Sequence, residues 1–421
     1  MELTAEERAW LAGEDGPATR RAMEIVVALA SIYGAERLIP VESVQISGVS
    51  FRNIGDAGLS FLREWANEGA RVRVPTTLNP TAMDMVDWPC QGFSTEFADK
   101  QQQVVDVFAR MGVGGGTPVP TCTPYLIGNR PRRGAHVSWA ESSAVSFANS
   151  VLGARTNREG GPGAIAAAIV GRTGAYGLHL DESRRPSLRV EVSAQPETIA
   201  DYSALGALVG KATRRAVPYF QGLPLDGDDP LGEEKLKALG AAMAATGAVA
   251  LYHVEGVTPE AVAGIVPSDA ADVLAVDDVR PGYRLLSDDV VAIDLVWIGC
   301  PHASLAEIAR VAEMVRGRQL VLPLWITCAR PVRELAAVQG SVDVIKAAGG
   351  SVFADACMAI APVRDLGFSA VATASAKGAY YLRNLARVEA VFGSVARCVE
   401  AALTGGWSGV TSHQNDLNRE W

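Results

Sequence analysis

The 421-residue sequence has no run of lysine or arginine able to follow a phosphate backbone, and its 47 acidic against 38 basic residues leave a net charge of −9. That balance excludes nucleic acid as a partner, although a few local Arg or Lys side chains can still hold a small anion. Long apolar runs are missing too: the most apolar stretch, Val290 to Ile298, carries Asp294 and is too short to span a bilayer, so no membrane is expected. The first ten residues are acidic and polar where a secretory leader needs a basic and then an apolar region, which predicts a cytoplasmic protein. No low-complexity tract or exact repeat is present. Cysteine is sparse. Cys90, Cys122, Cys300, Cys328, Cys357 and Cys398 in a long cytosolic chain read as thiols or ligands rather than as a disulfide frame.

What is present is ample core material, 48% hydrophobic residues, in a length that suits two or three domains. Residues 4–34 read as helical, Val44 to Ile46 as a short strand, the region of Leu59 to Trp65 as a helix and Arg71 to Thr76 as an alternating strand. Helical patterns follow at 101–111 and 140–152. The acidic Gly/Pro stretch Asp226 to Gly232 is the clearest boundary and divides the chain into 1–225, carrying Cys122, and 226–421, carrying Cys300 and Cys357. Beyond it, strand-like runs at 248–254, 290–299, 320–327 and 351–354 alternate with helical patterns near 259–265, 304–315 and 331–348. That alternation predicts an α/β fold with a parallel sheet flanked by helices, whose ligands lie beyond the carboxyl ends of the strands.

Cys300 and Cys357 fall at such ends, and so does Cys328, so position alone does not single out a ligand. Thiolates from three separate loops suit an iron–sulfur cluster that keeps one iron free for substrate. Yet 178 residues separate Cys122 from Cys300 and 57 separate Cys300 from Cys357, so no compact zinc or ferredoxin motif exists. On composition alone, scattered buried thiols are the simpler reading. Pro124 and Pro301 keep two of the loops extended.

Seven segments, in order, carry a likeness: 44–50 (VQISGVS), 74–80 (VPTTLNP), 121–125 (TCTPY), 139–143 (WAESS), 147–153 (FANSVLG), 156–161 (TNREGG) and 299–304 (GCPHAS). They resemble the large catalytic subunit of aconitase X, and the likeness runs to about residue 390. It implies an aconitase-like, multi-domain, three-layer α/β/α fold with mainly parallel sheets, and a hydro-lyase whose iron–sulfur cluster is held by cysteines matching Cys122, Cys300 and Cys357. The expected form is 4Fe-4S rather than 2Fe-2S, although three cysteines suit either. Cys90, Cys328 and Cys398 lie outside that pattern and are expected to be structural.

The family's catalytic base resembles a serine on a smaller swivelling domain, and nothing after residue 400 is long enough to be that domain. The resemblance therefore implies a separate small subunit that supplies the serine, and a small anionic hydroxy acid as substrate. Dehydration of mevalonate 5-phosphate and of cis-3-hydroxy-L-proline both belong to families resembling this one. Residues 47–58 and 160–162 are similar to the first type, Ala154-Arg155 to the second, and the expectation falls on mevalonate 5-phosphate. A non-catalytic subunit with zinc at the same thiols is the alternative from another class; a nucleotide site at Gly112 to Gly116 is disfavoured by Thr117 in place of the third glycine.

Glu141 and Lys377 are the candidate catalytic side chains. Glu141 beside Ser142 and Ser143 also fits helix capping, and Lys377 also fits a solvated helix charge. Ser47, Gly48 and Ser50 form a loop able to cradle an anion, Asn79 follows a strand, and Asn157 with Arg158 precedes a glycine pair that lets backbone amides approach a ligand. Those residues, with Ser142 and Ser143, are the expected substrate contacts. His302 follows Cys300-Pro301 and is expected near the cluster; His136, His179, His253 and His413 fit structural or surface roles.

Overall fold

The computed structural model describes residues 1–213 and 216–407; His413 lies outside them. Thr4 opens the first helix, Ala5–Ala12, by accepting from the Glu7 amide in a capping box, and Gly13 ends it at φ +91°. Pro17 then starts a second helix, Pro17–Ile32. The stretch expected to be one helix is therefore two, because Gly13 to Gly16 turns the chain. Ala22, Met23, Val26 and Ala30 of the second helix are buried, and the helix packs against Gly161–Val170.

Three parallel sheets carry the architecture. The first holds β1 (Val44–Ile46), β2 (Thr76–Leu78) and β3 (Ser138–Trp139) in the order β2-β1-β3. The second holds β4 (Leu188–Val192), β5 (Pro218–Gln221), β6 (His253–Val254) and β7 (Asp272–Val276) in the order β6-β5-β4-β7. The third holds β8 (Leu295–Ile298), β9 (Leu324–Cys328), β10 (Ser351–Ala354), β11 (Ala370–Thr373) and β12 (Glu389–Phe392) in the order β10-β9-β8-β11-β12. Among the described strands the one antiparallel ladder joins Leu38–Pro40 to Arg172–Gly174.

β8, β9 and β11 are buried at every position, which is why they read as unbroken apolar runs or as small apolar residues rather than as alternation. The third sheet grows in opposite directions from β8, first to β9 and β10, then to β11 and β12. Its crevice for ligands is therefore between β8 and β11.

Arg71 to Thr76 departs from the expected strand. The Val72 amide donates to the carbonyl of Met111 and the Arg73 amide to that of Ala168, so this segment spends its backbone on helix ends. Only from Thr76 does it join a sheet. The helical pattern at 331–348 is divided at Gly340, φ +80°, into Arg330–Val338 and Ser341–Ala347. The stretch Asp226 to Gly232 links β5 to the helix Gly232–Gly247 within the unit built on the second sheet.

Candidate active site

The carboxyl ends of the first and third sheets meet. After β2 the chain runs through Asn79 and Pro80, and Thr81 pairs with Ala356 in a parallel bridge: the Thr81 amide donates to the Asp355 carbonyl, and the Cys357 amide donates back to the Thr81 carbonyl, each at 2.9 Å. Arg330 braces the same loop. Its guanidinium donates to Asp355 at 2.8 Å and to Asp84 at 2.7 Å, and Asp84 also accepts the Ala354 amide at 2.6 Å.

At the end of β8, Gly299 adopts φ +101°, and a Cβ there would lie 2.1 Å from the Thr327 carbonyl oxygen, so only glycine lets the chain swing Cys300 out of the sheet. Cys122 arrives from the loop after Pro120, which bridges to Leu78 of β2. Cys122, Cys300 and Cys357 thereby line one cavity of about 370 Å³.

His302 holds the three loops together. Its Nε2 lies 2.9 Å from the Ala356 carbonyl, its Nδ1 lies 3.0 Å from the Thr121 hydroxyl, and its backbone amide donates to the Cys122 sulfur at 3.1 Å. A carbonyl only accepts, so Nε2 carries the proton and Nδ1 accepts from Thr121. Burial pushes this imidazole down to about 4, which keeps it neutral in that arrangement. Gln45 adds a second tie: Nε2 donates to the Thr121 carbonyl at 2.9 Å, and Oε1 accepts the Glu141 amide at 3.3 Å.

Glu141 and Lys377 form a buried ion pair, 6% and 7% exposed. Glu141 caps the helix Ser142–Ser150, accepting the Ala144 amide at 2.7 Å and the Ser143 hydroxyl at 2.5 Å. Lys377 comes from the helix Ala376–Tyr381 after β11 and also reaches the Ser143 hydroxyl at 3.1 Å. Burial opposes charge on both, yet the Lys377 ammonium and the hydrogen bonds hold Glu141 below the usual carboxylate range, and Glu141 in turn holds Lys377 protonated.

Burial raises all three thiols, Cys122 and Cys357 above their ordinary range and Cys300 to about 12, while Lys377 pulls each back down. A cationic group that takes such thiols as ligands would displace their protons, which are released as the thiolates bind. Among the described residues no three His, Cys, Asp or Glu gather tightly enough for one metal ion. Three thiols that line one cavity from separate loops are compatible with an iron–sulfur cluster, whose irons are held by Cys thiolates.

Ser47, Asn79, Ser142 and Arg158 also line this cavity. Gly48 sits beside it at φ +80°, and Ser50 is buried just before the helix Phe51–Asn67. Ser143 reaches the site through Glu141 and Lys377. Asn157 is not brought in: its amide donates to the Tyr176 carbonyl and accepts the Leu178 amide, and it does not line the cavity. Cys328 and Cys398 are buried in the apolar core that also holds Val296, Ile308 and Val332, and Cys90 is exposed.

Family models for the first, second and third domains of aconitase X match residues 1–182, 186–280 and 293–404. The chain belongs to the aconitase X family. Among its relatives, the phosphomevalonate dehydratase large subunit of Methanothermobacter thermautotrophicus is 50% identical, over 90% of this chain and 93% of that protein. The cis-3-hydroxy-L-proline dehydratase of Pseudomonas aeruginosa is 37% identical, over 96% of this chain but 70% of that protein. The crystal structure of Thermococcus kodakaraensis aconitase X in its holo form superposes with a TM-score of 0.87 at 46% identity, over 96% of this chain and all of that one. This is the aconitase-like α/β fold expected from the sequence motifs.

Two features of this aconitase X site escaped the sequence reading. Gln45 lies in a strand of three buried residues and gave no signal beyond its polarity. Glu159, 9% exposed on the cavity wall, sits inside the quoted segment 156–161 but drew no attention as a carboxylate.

Proposed function

We propose that the chain is the large, catalytic subunit of an iron–sulfur hydro-lyase that dehydrates a 3-hydroxy carboxylate, with mevalonate 5-phosphate as substrate. The observation that carries this reading is the convergence of Cys122, Cys300 and Cys357 on one cavity beside the Lys377 ammonium. The Methanothermobacter and Pseudomonas relatives are named as dehydratases, and the first of them as a large subunit.

The three thiols would hold the cluster, with 4Fe-4S the expected form. When bound, it supplies a Lewis-acid iron for the departing hydroxyl. Lys377, fixed by Glu141, supplies positive charge at the cavity wall for the substrate carboxylate, and Ser142 and the buried Oδ1 of Asn79, which has no partner among the described residues, offer polar contacts. The proton on the neighbouring carbon needs a base, which we assign to a serine of a small partner subunit that closes the cavity. Support for that partner comes from lengths: this chain spans 93% of the archaeal large subunit but 70% of the hydroxyproline dehydratase, which extends well beyond the match.

The test is anaerobic purification of the chain alone and with a co-expressed small subunit, followed by assay on mevalonate 5-phosphate and cis-3-hydroxy-L-proline. Iron, sulfide and turnover of the first substrate by the pair are expected. Turnover of hydroxyproline alone replaces the substrate, full activity of the isolated chain removes the partner, and colourless zinc-loaded protein removes the cluster.

A further inference from the structure

The cavity has a second pole, marked by a carboxyl on which none of the three thiols acts. Arg158 and Glu159 line it together with Ser47, arriving from the bend between the bridge that joins Arg158 to Trp139 and the helix Gly161–Val170. That helix starts so close to the Ser47 loop that a Cβ on Gly161 would stand 2.9 Å from the Ser47 carbonyl oxygen. The three residues therefore form one wall. Arg158 is exposed, and among the described residues its guanidinium has no carboxylate and no hydrogen-bond acceptor.

Glu159 is the reverse case. Its carboxyl is buried, and its one hydrogen bond among the described residues is a 3.5 Å contact from the Thr173 hydroxyl. Thr173 and Tyr176 face it from the Arg172–Gly174 strand and the turn that follows, Tyr33 stacks on Tyr176, and Ser47 lies across the wall. Among the described residues no Lys or Arg acts on this carboxyl, and neither Lys377 nor any of the three cysteines does.

We propose that this pole receives the distal oxyanion of the substrate, with the Arg158 guanidinium as its counter-charge and the Glu159 carboxyl as a hydrogen-bond donor to it. The inference rests on reading the substrate as a phosphorylated hydroxy acid. Burial pushes Glu159 up to about 7, so near neutrality much of it keeps its proton and can donate to an incoming dianion. Once ionised, the same carboxyl repels that dianion. Glu159 thus couples affinity for the phosphorylated end to pH, while the thiol pole handles the hydroxyl and carboxylate.

The test measures binding of mevalonate 5-phosphate and of mevalonate by calorimetry, on the enzyme assembled with its small subunit, from pH 6.5 to 8.5. A phosphate monoester has its second pKa near 6 and is largely dianionic across this range. In the unaltered enzyme the Kd for mevalonate 5-phosphate is expected to rise roughly tenfold between pH 7 and 8.5, and in Glu159→Gln to stay flat. Mevalonate should show neither effect. Equal pH slopes in both enzymes, with mevalonate 5-phosphate still turned over, would overturn this inference alone. If the phosphorylated compound binds no more tightly than mevalonate at any pH, the substrate reading and this inference fall together. Arg158→Gln, a change to an exposed side chain, gives an independent arm: affinity for mevalonate 5-phosphate alone should drop about tenfold or more. An unchanged affinity would sink the proposal.

Discussion

The imidazole of His302 donates to the carbonyl of Ala356 across 2.9 Å, and with its other nitrogen it takes up the hydroxyl of Thr121. One side chain from the Cys300 loop thereby fixes the residues that immediately precede Cys122 and Cys357. Replacing it with alanine leaves a buried carbonyl and a buried hydroxyl without their partner, at a cost of about 1–3 kcal/mol. His302→Ala is expected to retain less iron per chain than the unaltered protein and to expose Cys300 and Cys357 to faster alkylation by iodoacetamide. Unchanged iron content and alkylation rates would show that the loops hold their places without it.

The three cavity thiols and the core thiol should separate cleanly. Cys122→Ser, Cys300→Ser and Cys357→Ser are each expected to lose iron, sulfide and brown colour after anaerobic purification. Cys328→Ala, buried among apolar side chains, should keep all three at a stability cost of about 1 kcal/mol, read by denaturant unfolding. A colourless Cys328→Ala, or a Cys122→Ser with full iron, would contradict the ligand set.

The ion pair between Glu141 and Lys377 is buried on both sides, so removing one member strands a charge. Lys377→Met is expected to destabilise the metal-free chain by about 3–5 kcal/mol and to abolish turnover. Adding Glu141→Gln to that variant should return much of the stability and none of the activity. Additive losses in the double variant would mean the two side chains act independently.

Glu159 ties stability to pH. Its carboxyl rises from an ordinary 4.5 to about 7 on folding, so the folded chain binds the proton more tightly than the unfolded one. The stability this contributes is fully present below pH 4.5 and is lost as the pH climbs through 7. The loss amounts to about 3 kcal/mol for a carboxyl this buried. Glu159→Gln should match the unaltered chain at pH 4 and exceed it at pH 8 in urea unfolding. Parallel stability curves across that range would disprove the assignment.

Much of the third unit was legible in the sequence because its strands are buried on both faces and read as apolar runs: Leu295–Ile298 falls inside the expected 290–299, and Leu324–Cys328 overruns the expected 320–327 by one residue. β11 and β12 were missed because Ala370–Thr373 and Glu389–Phe392 are four residues each, and the first is rich in alanine. In the second sheet β7 escaped notice because Asp272 and Val273 are exposed at its edge, which erases the apolar signal. The cavity residues divide in the same way. Glu141 stood next to two serines in a recognisable segment, whereas the pairing of Lys377 with a carboxylate 236 positions away leaves no local trace. Glu159 is the sharpest case: an acidic residue beside Arg158 looks like a surface pair, and only the fold shows the carboxyl buried without a cation.

Cys122 belongs to the unit built on the first sheet, while Cys300 and Cys357 belong to the last sheet to be synthesised. A ribosome that has not yet released residue 357 has offered at most two of the three thiols, and the lysine that draws down their protons follows 20 positions later. No truncated product of this chain that ends before residue 357 carries all three cavity thiols. The cluster proposed for these thiols therefore has its full ligand set only on a nearly finished chain.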